Sequence, residues 1–459
     1  MKAVMRHWRD LRWSREQSWQ IRAPDHSETQ QDATLQIWGD EGYWHIVDAE
    51  TCELLAAVRR PVTWESLALQ RPDWAGEKEK VTRILESVTA GLRPPPKPAE
   101  PRIENVSFNL TTGCNLHCAT CYVPPSARTA EKLNPGPAMA FLERLGRVLS
   151  ATATISLLGG EPFLHPEGVF ALADWAQKRR LGCNVSTNGT VPLPAVLPRI
   201  RQLDLRVQVS IDGACARTND ALRGPGTFDQ ALATARELIA ARVPTTFCMV
   251  ACQENEAEIE DYLRLASRLG ASEARIIPLK RLGHAQNGRL ISTPQRVILE
   301  KMCAAFARDP GLEKLCQSDL YAILRNLVQE GSRRPACGSG TQTLLVQPDG
   351  SVYPCLNSTM EPARLGTVAD ETAALLRKGA EWGRTLSLEK ETHPCHPCAV
   401  KRWCLAGCPG ETLHREGRLE RPHWNCADLR SAVTYMMWRS SQETKAIQTT
   451  PTQIERTIL

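Results

Sequence analysis

The chain has 459 residues, 42% of them hydrophobic, with 56 lysines and arginines against 51 aspartates and glutamates and a net charge of +5. That length predicts two to four structural units, and the thinly spread charge gives no clustered basic face for nucleic acid. The N-terminal stretch MKAVMRHWRDLRWSREQ is too charged for a secretory signal, and no apolar run reaches a membrane span. The expectation is a cytoplasmic protein with neither nucleic acid nor membrane as partner. Seventeen cysteines in such a chain predict metal or redox chemistry rather than a disulfide framework.

Taken in order, residues 1–30 are polar, rich in Trp and Arg, and show no clear period. Ala33–Trp38 and Tyr43–Val47 alternate as two short strands joined at a GDEG turn. Helical spacing follows at 50–58, 63–69 and 77–90, and Gly91 can close the last helix. RPPPKPAEP then reads as a stiff linker, 93–104 in all. From 105 to about 285 apolar runs at 106–110, 154–158, 183–186, 205–211, 245–250 and 274–279 alternate with helical stretches at 139–149, 169–180, 194–203, 228–241 and 256–269. Six such units with near-continuous apolar strands predict a parallel sheet covered by helices, an α/β class. Residues 286–335 read as a helical connector, 336–440 as a cysteine-rich domain and 441–459 as a disordered polar tail.

The informative residues fall just after the strands, where functional residues of parallel sheets collect. After the first strand, TTGCNLHCATCY places Cys114, Cys118 and Cys121 at C-x3-C-x2-C spacing. On spacing alone these can bind three irons of a cubane cluster or, with a distant fourth ligand, a zinc ion. After the second strand come Gly159, Gly160, Glu161 and Pro162. After the third come Ser186, Asn188 and Gly189. The fourth carries Ser210 to Gly213, then Arg223, and the sixth is followed by Lys280 and Arg281. Near the C-terminus stand Cys337, Cys355, Cys395, Cys398, Cys404, Cys408 and Cys426, too many for one tetrahedral site. The remaining seven cysteines (Cys52, Cys183, Cys215, Cys248, Cys252, Cys303, Cys316) read as small hydrophobes.

With these motifs in register, residues 105–285 resemble the radical S-adenosylmethionine (SAM) superfamily. The resemblance implies a partial (β/α)6 TIM-like barrel and a [4Fe-4S] cluster on Cys114, Cys118 and Cys121, the residues carrying the initiating chemistry. Its open iron is chelated by SAM, whose one-electron reduction gives a 5′-deoxyadenosyl radical that abstracts a substrate hydrogen. It also implies that Gly159–Glu161, followed by Pro162, hold the SAM amino group, Glu161 complementing the ammonium. Ser186 and Asn188, with Ser210 nearby, would hold the ribose and methionine portion, Arg223 the carboxylate, and Tyr122 would lie along the adenine. The C-terminal cysteines are similar to the SPASM extension, which houses two auxiliary [4Fe-4S] clusters. That similarity assigns Cys395, Cys398, Cys404 and Cys426 to an outer cluster and Cys337, Cys355 and Cys408 to an inner one. An eighth cysteine, frequent in the family, is missing here, so the inner cluster keeps an open iron or takes a non-cysteine ligand. Residues 1–92 resemble the winged-helix peptide-recognition element of enzymes that mature ribosomally made peptides, which bind a precursor's leader by strand addition. A generic winged helix or plain extension fits the same pattern.

The expected activity is hydrogen abstraction from a core residue of a precursor peptide, forming a thioether, C–C or C–O link. An external reductant such as flavodoxin or ferredoxin would supply electrons. Three alternatives stay open: a maturase of a protein subunit or sulfatase, a small-molecule cofactor enzyme, and a metal-binding regulator. Leu356 stands where sulfatase maturases carry a general-base aspartate.

Overall fold

The computed structural model describes residues 18–92, 102–124, 129–330, 336–419 and 421–448; most of the Pro-rich linker lies outside them. Five short strands build the N-terminal unit: β1 (Ser18–Trp19), β2 (His26–Gln30), β3 (Ala33–Trp38), β4 (Tyr43–Asp48) and β5 (Val62–Thr63). β2, β3 and β4 form an antiparallel sheet in that order, and β1 pairs with β5. Helices Ala49–Ala57, Trp64–Gln70 and Lys78–Gly91 follow, the first two capped by Asp48 and Thr63 side chains. β2 falls in the stretch that showed no period, because HSETQ is an edge strand without an apolar residue.

β3 is buried on both faces. Trp38 packs with the unit's own helices, while Leu35 and Ile37 enter the core of the main body. Trp44 Nε1 donates to Val328 O at 2.9 Å and Lys401 Nζ to Asp40 Oδ1 at 2.6 Å, so the unit is seated on the body as well as tethered to it.

All six apolar runs are strands: β6 (Ile103–Asn109), β7 (Leu149–Leu158), β8 (Gly182–Thr187), β9 (Arg206–Ser210), β10 (Thr245–Ala251) and β11 (Glu273–Pro278). They lie parallel in sequential order. The expected near-continuous apolar strands are corrected by the structure, because residues alternate. Val106, Phe108, Ile155, Leu157, Val185, Val207 and Val209 are fully buried in the main core. Neighbouring polar residues share the other face: Asn105 Nδ2 donates to Ser156 Oγ at 2.7 Å, Gln208 Nε2 to Ser186 Oγ at 3.1 Å, and Arg275 Nη1 to Gln208 Oε1 at 2.8 Å. One face is covered by helices; the other is a polar lumen wall.

The cysteine-rich part continues the same sheet. β12 (Thr343–Val346) pairs parallel with β6, then β13 (Ser351–Tyr353) and β14 (Gly366–Thr367) add antiparallel. The last helix, Cys426–Gln448, packs on the connector helices Gln295–Arg308 and Leu320–Glu330. It runs past residue 440, where composition suggested a disordered tail, because Ala432, Val433, Met436 and Met437 anchor it in the core. Residues 449–459 lie outside the described ones.

Candidate active site at the strand ends

The three-cysteine loop leaves β6 and is clamped by neighbouring strand ends. Gly160 N donates to Thr111 O at 2.7 Å and Glu161 N to Gly113 O at 2.8 Å. A Cβ on Gly160 would stand 2.0 Å from Gly113 O, so only glycine permits this approach. Farther along, Ala119 N donates to Leu222 O at 2.8 Å, and Ala285 N to Cys121 O at 3.1 Å. His284 Nδ1 donates to Cys118 O at 2.9 Å. Asn115 bonds both Thr190 Oγ1 and the Asn188 amide, at 2.8 Å each.

The backbone is thus held while the three thiols stay partly exposed. Leu116 N and the Asn188 amide point at Cys114 Sγ, at 3.4 and 3.9 Å, the kind of donor that stabilises a cluster-bound sulfur. Burial pushes the Cys118 thiol up, against the pull of Arg223. Among the described residues no three Cys, His, Asp or Glu side chains converge tightly enough for a single metal ion.

Two buried carboxylates brace this arrangement. Glu161, fully buried, accepts from Phe163 N (3.1 Å), Thr187 Oγ1 (2.8 Å) and Asn188 N (2.8 Å). Burial pushes its carboxyl up, against those donors. Its side chain therefore ties the Gly159–Pro162 turn to the end of β8. Both carboxylate oxygens of Glu161 are engaged in this bracing. Asp212 accepts from Arg223 Nη1 (2.9 Å), Thr120 Oγ1 (3.1 Å) and Val250 N (2.8 Å). Burial works against the Arg223 charge, but Asp212 more than offsets it and the guanidinium stays protonated. Arg223 Nε is buried without a partner, an orphan donor that suits an anionic ligand.

Asn188 lies beside the cysteine loop and Ser186 one step deeper in the lumen. Ser210 ends β9 opposite Cys248. Burial pushes the Tyr122 phenol up, and Gly283 packs tightly on the Tyr122 carbonyl. Read from the sequence, Asp212 belongs to the strand-end constellation but carries no role, and Asn115 and His284 carry none either. Asp212 alone left a signal: an acid directly after an apolar strand.

The C-terminal cysteines divide into two electrostatic neighbourhoods. Cys337 feels Cys355, Cys408 and Lys280, and Cys404 feels Cys395, Cys398 and Cys426. Burial holds the Cys337 and Cys395 thiols up at about 11 and Cys404 at about 12. Iron would have to displace their protons. Among the scattered cysteines, Cys183, Cys248, Cys252, Cys303 and Cys316 are buried and Cys52 and Cys215 partly so.

Residues 108–266 match the family model of the Radical SAM superfamily. That stretch is a radical SAM domain, and the chain is an enzyme. It therefore uses SAM and a [4Fe-4S] cluster. It is 28% identical over 354 residues to the mycofactocin maturase MftC of Mycobacterium tuberculosis H37Rv, spanning 75% of this chain and 86% of that one. An AdoMet-dependent heme synthase of Methanosarcina barkeri is also 28% identical, over 66% of this chain and 90% of its own length. In fold the enzyme resembles anSMEcpe with bound AdoMet, with a TM-score of 0.61 at 19% identity, covering 74% of this chain and 99% of that one. It also resembles Streptococcus suis SuiB bound to precursor peptide SuiA, with a TM-score of 0.56 at 11% identity, covering 87% and 98%. Only 358 of the 459 residues follow position 101, fewer than 87% of the chain, so the likeness to SuiB extends into the N-terminal unit. Among the described residues no helix is long and apolar enough to cross a membrane.

Proposed function

We propose that this enzyme modifies a ribosomally made precursor peptide, with one [4Fe-4S] cluster on Cys114, Cys118 and Cys121 and two auxiliary clusters on the C-terminal cysteines. The observation that carries this reading is a small antiparallel sheet, with two edge strands, seated on a barrel whose lumen is polar. An extended leader would add to the edge of β2 or β4, satisfying backbone groups along its length. The core peptide would then enter a lumen lined by Gln208 and Asn105, which can bond its amides.

When bound and reduced, cluster and SAM together supply the 5′-deoxyadenosyl radical that abstracts a substrate hydrogen. The protein holds and aims. The Gly159–Glu161 backbone, with Pro162 fixing the turn, would take the amino group. Arg223, kept charged by Asp212, would take the carboxylate; Ser186, Asn188 and Ser210 would meet the ribose and methionine portion, and Tyr122 the adenine. Cys395, Cys398, Cys404 and Cys426 would hold the outer auxiliary cluster, and Cys337, Cys355 and Cys408 the inner one. A flavodoxin- or ferredoxin-type reductant would deliver the electron.

Anaerobic reconstitution should give about twelve irons per chain, the sum for three [4Fe-4S] clusters, and 5′-deoxyadenosine on reduction. Cys118→Ala should abolish deoxyadenosine formation. About four irons with zinc would remove the auxiliary clusters from the reading. Cleavage of SAM without a mass change in any candidate peptide would favour a small-molecule substrate, as the heme synthase relative suggests.

A further inference from the structure

A cavity of about 190 Å³ is lined by Arg281, Gln286, Glu411, Arg415 and Trp424. Its walls belong to different parts of the chain. Arg281 follows β11, and Gln286 lies on the short helix His284–Asn287, whose His284 and Ala285 bond the carbonyls of Cys118 and Cys121. Glu411 and Arg415 stand on helix Pro409–Glu416, which begins directly after Cys408. Whatever fills the cavity touches one wall fixed to the first cysteine loop and another fixed to the C-terminal cysteines.

The charges in that space are unbalanced. Glu411 is already engaged, with Lys280 Nζ at 3.1 Å and His423 Nε2 at 3.7 Å. Among the described residues Arg281 has no acidic partner, and the nearest acid to Arg415 is Glu416, at 3.6 Å without a hydrogen bond. The Arg415 guanidinium lies 4.9 Å from the centre of the Trp424 ring, which fixes its plane. Two forked donors beside a flat aromatic wall suit a planar, bidentate acceptor. The carboxylate of Glu411 in the same wall disfavours a dianion such as phosphate.

Resting on the peptide-modifying reading, we infer that this cavity is a subsite that grips a carboxylate of the substrate peptide through Arg281 and Arg415, with Trp424 packing against the adjoining residue. The carboxylate belongs to an acidic side chain or to the peptide's own end. Holding it here fixes the register of the peptide between the two cysteine regions.

The test is calorimetric titration of the reconstituted holoenzyme, without turnover, using three probes. These are acetyl-Ala-Ala with a free carboxylate, acetyl-Ala-Glu amide, and the neutral acetyl-Ala-Ala amide. At least one carboxylate probe should bind ten-fold or more tighter than the neutral amide; which one does so identifies the source. Arg281→Gln with Arg415→Gln should erase that difference while iron content is retained. If the double variant loses its iron, Arg281→Gln alone, at an exposed position, should still weaken carboxylate binding several-fold. Equal binding of the neutral amide, no binding of either carboxylate, or unchanged selectivity in the variants overturns the subsite. Failure of the peptide reading looks different: no peptide changes mass, although the probes still bind.

Discussion

Between Thr111 and Val123 the cysteine loop is bonded to residues more than ninety positions away: Leu222, Asp212 through Thr120, and the 283–285 turn. Between His393 and Gly407 the backbone bonds join residues only three or four apart, as in 398 to 395, 404 to 400 and 407 to 404, and the long-range ties run through the side chains of Lys401 and Arg402 to Asp40. This second region also carries Leu405 and Ala406 in the left-handed conformation, at φ 51° and 61°, each a local cost for a residue with a Cβ. Val400 and Trp403 anchor it in the core, but successive turns alone do not repay the ordering of so long a segment. The first cysteine region is therefore organised by the barrel, whereas the second, under the proposed function, would draw its order from the clusters that it holds.

Removing iron separates the two most sharply. Structural metal binding in small domains supplies on the order of 10 kcal/mol of folding energy. Chelation should thus open residues 390–410 to protease and hydrogen exchange while the 111–123 loop stays protected. Opening of the first loop before the second would reverse the comparison.

Next in size is the barrel's own brace. Asp212→Ala leaves the Arg223 charge buried and strips acceptors from Thr120 and Val250, a loss of about 3–5 kcal/mol for a broken buried pair. A urea series on the holoprotein should show that loss, and Asp212→Asn, which keeps an acceptor, should lose less. Gly160→Ala attacks the same region sterically. Its Cβ meets the Gly113 carbonyl and must displace the cysteine loop. SAM cleavage should fall about 100-fold or more, as misplacement of about 1 Å commonly costs. The circular dichroism spectrum should be unchanged. An alanine variant with normal cleavage would show that the close approach of Gly160 to the loop is dispensable.

The same contrast explains what could be read from residues alone. The six strands were legible because Val106, Phe108, Ile155, Leu157 and their counterparts mark apolar runs between helical stretches. The polar lumen was carried by the alternate positions Asn105, Ser107 and Asn109, visible as a period of two once the face is known. Asp212, Asn115 and His284 act across long sequence separations, and no local pattern announces a bond to Arg223, Asn188 or Cys118. Glu161 was found for its motif, yet its hydrogen bonds to Thr187 and Asn188 depend on how β7 and β8 end together. β2 stayed hidden because an exposed edge strand needs no apolar residue.

The smallest effect concerns the helix on which the C-terminal region rests. Asp319 is fully buried, caps helix Leu320–Glu330 by accepting from Ala322 N at 2.9 Å, and leaves Oδ2 without a partner. Burial raises its carboxyl to about 6. Because the folded protein takes up this proton more readily than the unfolded chain, the group favours folding below the unfolded value. That advantage fades as pH rises through about 6. From pH 5 to pH 7 the loss is about 1 kcal/mol. Asp319→Asn keeps the cap but cannot titrate, so its stability should change by that much less over the interval. Urea midpoints of both proteins at the two pH values measure the difference. Since this helix packs on Cys426–Gln448 and on helix Lys401–Cys404, the pH effect should also appear in hydrogen exchange of the C-terminal cysteine region. It should be absent from the 111–123 loop. Equal responses in both would mean that the two regions unfold as one unit, and that the barrel's long-range bonds reach further than their positions indicate.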